Sequence, residues 1–179
     1  MSRLPGNLKD AQLIDQIIRV DHAGEYGAKC IYAGQMSVLK DQQTQELLKH
    51  MADQEEVHLD YFTKEMQRRR VRPSVFLPLW HMLGYALGKG SAMLGATSAM
   101  VCTEAVEEVI NQHYQEQLKQ LEPDQEKDLA QNIEKFRQEE LEHQHIAQEN
   151  MPDLHLGHKI LYNIIKLGCK ASITIAKRF

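Results

Sequence analysis

The sequence predicts an all-α protein built on a four-helix bundle, and three observations lead there. Long stretches rich in Glu, Gln, Lys, Leu and Ala carry apolar residues at three-and-four spacing, the period of one helix face. No run of Val, Ile and Thr bounded by turn residues marks a strand. Glu25 is followed by Glu55 and His58, and Glu107 by Glu140 and His143, in matching order. A bundle that holds two metal ions takes one Glu from each of two helices and a Glu-x-x-His pair from each of the other two, and each half of this chain supplies half of that set. The 179 residues make one domain with no linker to divide it.

The first helix is expected over about residues 10–39, with Ile14, Ile18, Glu25, Ala28 and Tyr32 inward and with Gly24 and Gly27 allowing a close neighbour. The second, about 42–70, starts near Asp41 and ends in the basic cluster Lys64, Arg68, Arg69, Arg70 and Arg72 ahead of Pro73. The third begins near Ser91 and carries Glu107; the fourth follows Pro123 and carries Glu140 and His143. Residues 10–70 and 90–150 read as two copies of one helical hairpin. Tyr32 and Gln35 stand seven and ten positions after Glu25, as Tyr114 and Gln117 do after Glu107.

Glu-x-x-His alone is a weak signal, because 16 Glu and nine His in a chain of this length give about 0.8 matches by chance. The helix face supplies the discrimination. Leu129, Ile133, Phe136, Glu140, His143 and Ala147 share one apolar stripe, whereas Gln138, Glu142, His145 and Glu149 share a polar one. Leu48, Met51, Glu55, His58 and Phe62 trace the same kind of apolar stripe in the first half. A carboxylate and an imidazole buried there unpaired would cost several kcal/mol, and a metal ion is the positive partner both lack. Asp21, one turn before Glu25, and Tyr32, His113 and Tyr114 lie near these stripes and are candidates to orient the imidazoles or relay protons.

Two apolar segments exceed what a bundle core needs. Within residues 73–100, Phe76, Leu77, Leu79, Trp80, Met82, Leu83 and Tyr85 are dense but interrupted by Pro78, Gly84 and Gly88, too short and broken to span a bilayer. With the basic cluster before it, Arg68 to Leu87 suits an interfacial membrane element, or else a crossover packed on the bundle. The C-terminal segment, residues 154–179, interleaves Ile160, Leu161, Ile164, Ile165 and Leu167 with Lys159, Lys166, Lys170, Lys177 and Arg178. This amphipathic helix suits a membrane surface or docking across the bundle.

A net charge of −4 gives no reason to expect nucleic acid. Cys30, Cys102 and Cys169 are far apart and odd in number, so they suggest neither a disulfide framework nor a thiolate metal site, and they fit a reducing compartment. No apolar signal run or Arg- and Ser-rich transit segment is evident near the N-terminus.

Several longer motifs resemble one family. VDHAGEYGA (20–28), IYAGQM (31–36), RVRPSVFLPLW (70–80), VCTEAVEE (101–108) and KFRQEELEH (135–143) are similar, in order, to signatures of the demethoxyubiquinone hydroxylases, ferritin-like di-iron monooxygenases of ubiquinone biosynthesis. The likeness runs from about Asp15 to the C-terminus. It implies a ferritin-like bundle with Glu25, Glu55, His58, Glu107, Glu140 and His143 as ligands to two iron ions. It also implies dioxygen and a polyprenyl quinol as substrates, with ring hydroxylation as the reaction, and in some members a lipid-binding accessory protein. Four carboxylates balance the charge of two ferrous ions, and mixed oxygen and nitrogen ligation suits iron. Phe76 to Leu87 and Met93 to Met100 are the expected walls of a site for the lipid tail.

The implied location is peripheral on a membrane, at the cytoplasmic face of a bacterial inner membrane or the matrix side of the mitochondrial one, and a homo-oligomer is compatible with it. The alternative is a ferritin-like ferroxidase or iron-binding protein, which shares the bundle chemistry but gives no reason for the apolar insert.

Overall fold

A computed structural model describes residues 8–121, 126–151 and 154–178. Among them are six α-helices and no strand: α1 (Leu8–Val38), α2 (Gln42–Arg69), α3 (Leu77–Met93), α4 (Ala96–Gln120), α5 (Lys127–Glu149) and α6 (Leu156–Ala176). The fold is an all-α, ferritin-like bundle. α1 and α2 pack as one hairpin and α4 and α5 as another, while α3 lies along α1 and α6 lies along α4. Each hairpin is therefore followed by a shorter helix that returns onto its own first member.

Local chemistry sets the ends of these helices. Asp41 caps α2, its carboxylate accepting from the Thr44 N–H at 2.8 Å. Arg70 closes the helix in the left-handed conformation (φ 59°), its N–H directed at the carbonyls of Met66 and Gln67. Pro78 sits in the first turn of α3, where a missing N–H costs nothing.

The helix carrying Glu107 starts at Ala96, not near Ser91. Gly95, at φ 109°, makes the break, and Ser91 belongs to α3, where its hydroxyl donates to the Gly88 carbonyl at 2.9 Å. Pro123, expected ahead of the helix carrying Glu140, and Phe179, the expected end of the last helix, lie outside the described residues.

From Leu77 to Met93 the apolar insert is thus one continuous helix, and Gly84 and Gly88 are contact points rather than interruptions. A Cβ at Gly88 would overlap the Ile31 carbonyl, one at Gly84 would come within 2.8 Å of the Gly27 carbonyl, and one at Gly34 would overlap the Tyr85 carbonyl. The close seam is therefore Gly27, Ile31 and Gly34 of α1 against Gly84, Tyr85 and Gly88 of α3. Gly24 and Gly27, both expected to serve this purpose, have open space where a Cβ would stand, and Gly27 enters the seam only through its carbonyl.

The core comprises two apolar plugs at the ends of the bundle and a third cluster, Ile31, Cys102, Ala105, Val106 and Ile165, where α6 packs on α1 and α4. At one end Ile14, Ile18, Phe62, Met66, Tyr114, Leu129, Ile133 and Phe136 cluster; at the other Tyr32, Leu48, Met51, Met100, Val101, Ala147 and Met151 do. In α1, α2, α4 and α5 the residues between the plugs are Glu25, Glu55, His58, Glu107, Glu140 and His143, at most 1% exposed.

The basic cluster is largely committed to the protein itself. Arg68 and Arg69 both bind Glu65, Arg69 also forks onto Glu126, and Lys64 pairs with Asp60, leaving Arg70 and Arg72 as its exposed members without an ion pair among the described residues. α6 is held to α4 by Glu108, which takes hydrogen bonds from Tyr162 and pairs with Lys166 at 2.8 Å. It buries Ile165 and Ala176 but leaves Leu156, Ile160, Ile164 and Leu167 more than half exposed, so docking uses only part of its apolar surface. No helix among the described residues is long and apolar enough to cross a membrane.

Gly88→Ala should therefore lower stability by at least ~2 kcal/mol, a Tm loss of roughly 4–8 °C, because backbone rather than a flexible side chain must move. Gly90→Ala, two positions on and in open space, should leave Tm unchanged or raise it; equal losses in the two variants would refute the glycine seam.

Candidate metal centre and adjoining cavity

Helical spacing brings the six charged residues together in the layer between the plugs. Glu25, Glu55, His58 and Glu140 place one ligand atom each within 4.8 Å of one another, and so do Glu55, Glu107, Glu140 and His143. The two groups share Glu55 and Glu140, while Glu25 with His58 and Glu107 with His143 lie to either side. That is the arrangement of two metal positions with two shared carboxylates and one terminal Glu-His pair each. Both imidazoles turn Nδ1 inward: His58 Nδ1 is 3.2 Å from Glu140 and 3.3 Å from Glu25, and His143 Nδ1 is 3.2 Å from Glu140 and 3.3 Å from Glu55.

The electrostatics are those of a site short of positive charge. Burial, reinforced by the charge of Glu140 and Glu25, pushes the Glu55 carboxyl well above its usual range, and burial with the charge of Glu140 does the same to Glu107. Burial would lower His58, but hydrogen bonds and charge from Glu140 and Glu25 outweigh it and push the imidazole up to about 11. Glu140, which burial alone would raise, is held well below the carboxylate range by His143 and His58. Both oxygens of Glu55, with Glu107 Oε2 and Glu140 Oε1, are buried without a hydrogen bond. Carboxylate oxygens that outnumber the donors facing them and converge in a dry layer fit a pair of divalent cations.

The neighbouring polar groups repeat across the two halves. Tyr32 of α1 donates to Glu107 of α4 at 2.6 Å, and Tyr114 of α4 donates to Glu25 of α1. Burial raises both phenols far above their usual range, so both stay neutral donors. Gln117 donates to Asp21 at 2.5 Å and contacts His113 at 2.9 Å, while Gln35 reaches the Ala99 carbonyl and Thr103 on the opposite pair of helices.

Thus Tyr32 and Tyr114 hydrogen-bond the Glu107 and Glu25 carboxylates, Tyr32 also packing edge-on against the His143 ring, and Asp21 and His113 form a separate polar cluster further along α1 and α4. The groups that hold the imidazoles are Glu139, 2.8 Å from His58 Nε2, and Gln54, 2.8 Å from His143 Nε2. The sequence carried a signal for both, since each immediately precedes the Glu of a Glu-x-x-His pair.

On the other side of α1 and α4 lies a cavity of about 370 Å³ enclosed by α1, α3, α4 and α6. Its inner wall includes Gly24, Ala28, Val106 and Ile110, the residues beside Glu25 and Glu107 on the same two helices; Trp80, Leu83 and Leu87 come from α3 and Ile164, Ile165 and Cys169 from α6. Leu83 and Ile164 are about half exposed or more, so the cavity opens at the surface between α3 and α6.

Part of Phe76 to Leu87 lines the cavity as expected, but Met93 to Met100 does not. Met93 is exposed at the last position of α3 and Met100 is packed into a core plug with Tyr32 and Met51. The missing wall is α6, whose role only the packing reveals. Cys30 and Cys102 are buried, Cys169 half-buried, and all three are free thiols.

A helical bundle with four carboxylates and two imidazoles in one buried layer, compatible with a metal site, defines the ferritin-like class of helical bundles. The sequence profile described as "Ubiquinone biosynthesis protein COQ7" matches residues 12–176, and the chain belongs to that family. It is 48% identical over 168 residues to the human NADPH-dependent 3-demethoxyubiquinone 3-hydroxylase, covering 92% of this chain and 77% of the human protein. It is 46% identical over 177 residues to the 3-demethoxyubiquinol 3-hydroxylase of Rhodospirillum rubrum, covering 98% and 83%. Against the 5-demethoxyubiquinone hydroxylase of Saccharomyces cerevisiae the identity is 40% over 190 residues, covering 96% and 82%.

Glu140→Ala should lose at least one of two bound metal equivalents after gel filtration, measured by elemental analysis, because it removes a shared carboxylate. Glu142→Ala, on the exposed face, should keep both, and equal losses would place the wrong face inward.

Asp21 gives a pH test in metal-free protein. Its carboxyl is raised well above its usual range, first by burial and then by Glu25, with the Gln117 hydrogen bond opposing. A raised carboxyl means that the fold binds the proton more tightly than the unfolded chain, so stability falls as pH rises from about 4 through the folded value. Asp21→Asn removes that loss, and its Tm advantage over wild type should be larger at pH 8 than at pH 5. A constant gap would show that Asp21 does not titrate differently on folding.

Proposed function

We propose that the chain is an iron-dependent monooxygenase that hydroxylates the ring of a demethoxyubiquinol-type polyprenyl quinol with dioxygen, as the names of its relatives state for them. Glu25, Glu55, His58, Glu107, Glu140 and His143 would hold two iron ions, which when bound supply the electrons and open coordination positions that dioxygen activation needs. The carrying observation is that an apolar cavity runs along the backs of Glu25 and Glu107. Residues one or three positions from those carboxylates form its inner wall, so a ring seated there lies beside the metal layer while its tail leaves between α3 and α6.

The chain's own residues do the positioning and the exclusion. The two apolar plugs keep water from the metal layer along the bundle axis, which favours oxygen transfer to the ring over loss of oxidising equivalents to solvent. Tyr114 and Tyr32 fix the terminal carboxylates Glu25 and Glu107. The cavity lining offers few polar groups, among them Ser172 and Trp80, whose buried indole N–H has no partner among the described residues. One oxygen atom enters the ring as hydroxyl, the other leaves as water, and two electrons and two protons come from an external donor.

Exposed apolar side chains on both sides of the opening support collection of the substrate from a bilayer. Leu79, Met82 and Leu83 of α3 and Ile160, Ile164 and Leu167 of α6 would lie among acyl chains, placing the protein peripherally on the membrane that holds the quinol. A lipid-binding accessory protein, if one presents the substrate, would meet the same surface.

The test is a single turnover with two ferrous equivalents, a short-tailed demethoxyubiquinol and ¹⁸O-labelled dioxygen, read by mass spectrometry. A product one labelled oxygen heavier is expected; iron oxidation without labelled product would favour a ferroxidase. Gly168→Leu, which fills the cavity from α6 where a side chain meets open space, should raise KM for the quinol roughly tenfold or more and leave iron content unchanged.

A further inference from the structure

The two halves of the metal layer match in almost every group that touches it. Each has a terminal Glu held by a tyrosine from the opposite helix, a shared Glu and an inward Nδ1. They differ at the outward nitrogen of the imidazoles. In both halves this Nε2 is held by the residue just before the shared Glu of the other half. For His58 that residue is Glu139, a carboxylate; for His143 it is Gln54, a carboxamide.

Both acceptors favour the tautomer with hydrogen on Nε2 and a free electron pair on Nδ1, as ligation requires. They differ in strength. A hydrogen bond to a carboxylate is charge-assisted and draws the N–H proton further, making Nδ1 the better electron donor; a carboxamide does so much less. Glu139 is 24% exposed on its side chain and its other oxygen lies 3.6 Å from Lys135, so the carboxylate keeps an outer partner while Oε2 serves His58.

We propose that Glu139 and Gln54 are paired positioning residues that make the two metal positions unequal. The position at His58 and Glu25 binds more tightly and loads first; the position at His143 and Glu107 binds more weakly and is the first to lose its ion. This inference rests on the assignment of the six ligands made above.

The test uses the full chain in three forms: wild type, Glu139→Gln, and the exchange variant Gln54→Glu with Glu139→Gln. Each is nearly isosteric, and circular dichroism of the metal-free proteins checks the fold. Stepwise binding of ferrous iron, followed by competition with a chelator, should give two separated affinities in wild type. Glu139→Gln should weaken the tighter step about 10- to 100-fold and bring the two together. The exchange variant should restore two separated steps, and ⁵⁷Fe Mössbauer spectra at one equivalent should show the first ion in the other of two distinct environments.

Two iron equivalents bound with a single affinity and one quadrupole doublet in wild type would overturn the inference without any variant. So would separated steps that neither variant changes. Failure of the wild type to bind two equivalents at all would instead sink the ligand assignment.

Discussion

The structure depends on one electrostatic constraint: four carboxylates and two imidazoles occupy a single layer from which water is excluded. Taking each such ion out of water costs several kcal/mol even after relaxation, and no lysine or arginine among the described residues pairs with the layer. Instead the His58 imidazole is drawn toward the protonated form and the Glu55 and Glu107 carboxyls toward the neutral form, the response expected of a buried layer short of positive charge. The apolar plugs above and below intensify the demand, because they deny the layer both solvent and screening.

Around this layer the polar groups form a cross-brace rather than a shell of separate contacts. Tyr32, Tyr114, Gln35 and Gln117 each tie α1 to α4. Glu139 and Gln54 each tie α2 to α5. α1 and α4 thus present rigid backs to the cavity, and the glycine seam lets α3 approach α1 closely enough to close one of its sides. The carboxylate–imidazole layer and the cavity lie on two faces of the same pair of helices, so the apolar cavity runs beside the layer without opening it to water.

The most legible feature was the one whose physics is local. Glu140 with His143 and Glu55 with His58 could be placed on buried stripes because a helix repeats every 3.6 residues, and Glu142 and His145 fell on the exposed face for the same reason. The α3 helix was less legible: Gly84 and Gly88 read as interruptions in the sequence, whereas in the fold they are where another backbone passes. Glycine's meaning depends on what lies opposite it. The basic cluster shows the same limit in part: Glu65 lies within one turn of Arg68 and Arg69 on α2, but Glu126, which Arg69 also binds, stands at the start of α5.

By itself the sequence determined the helical class, the inward faces, the six-residue constellation and its twofold repetition, because each is written in residue spacing along single helices. The tertiary structure decided which carboxylates are shared, which residue braces which imidazole, and that α6 rather than Met93 to Met100 walls the cavity. Those are relations between helices, fixed by how side chains and backbones from distant parts of the chain fill the same space, and no periodicity within one helix encodes them.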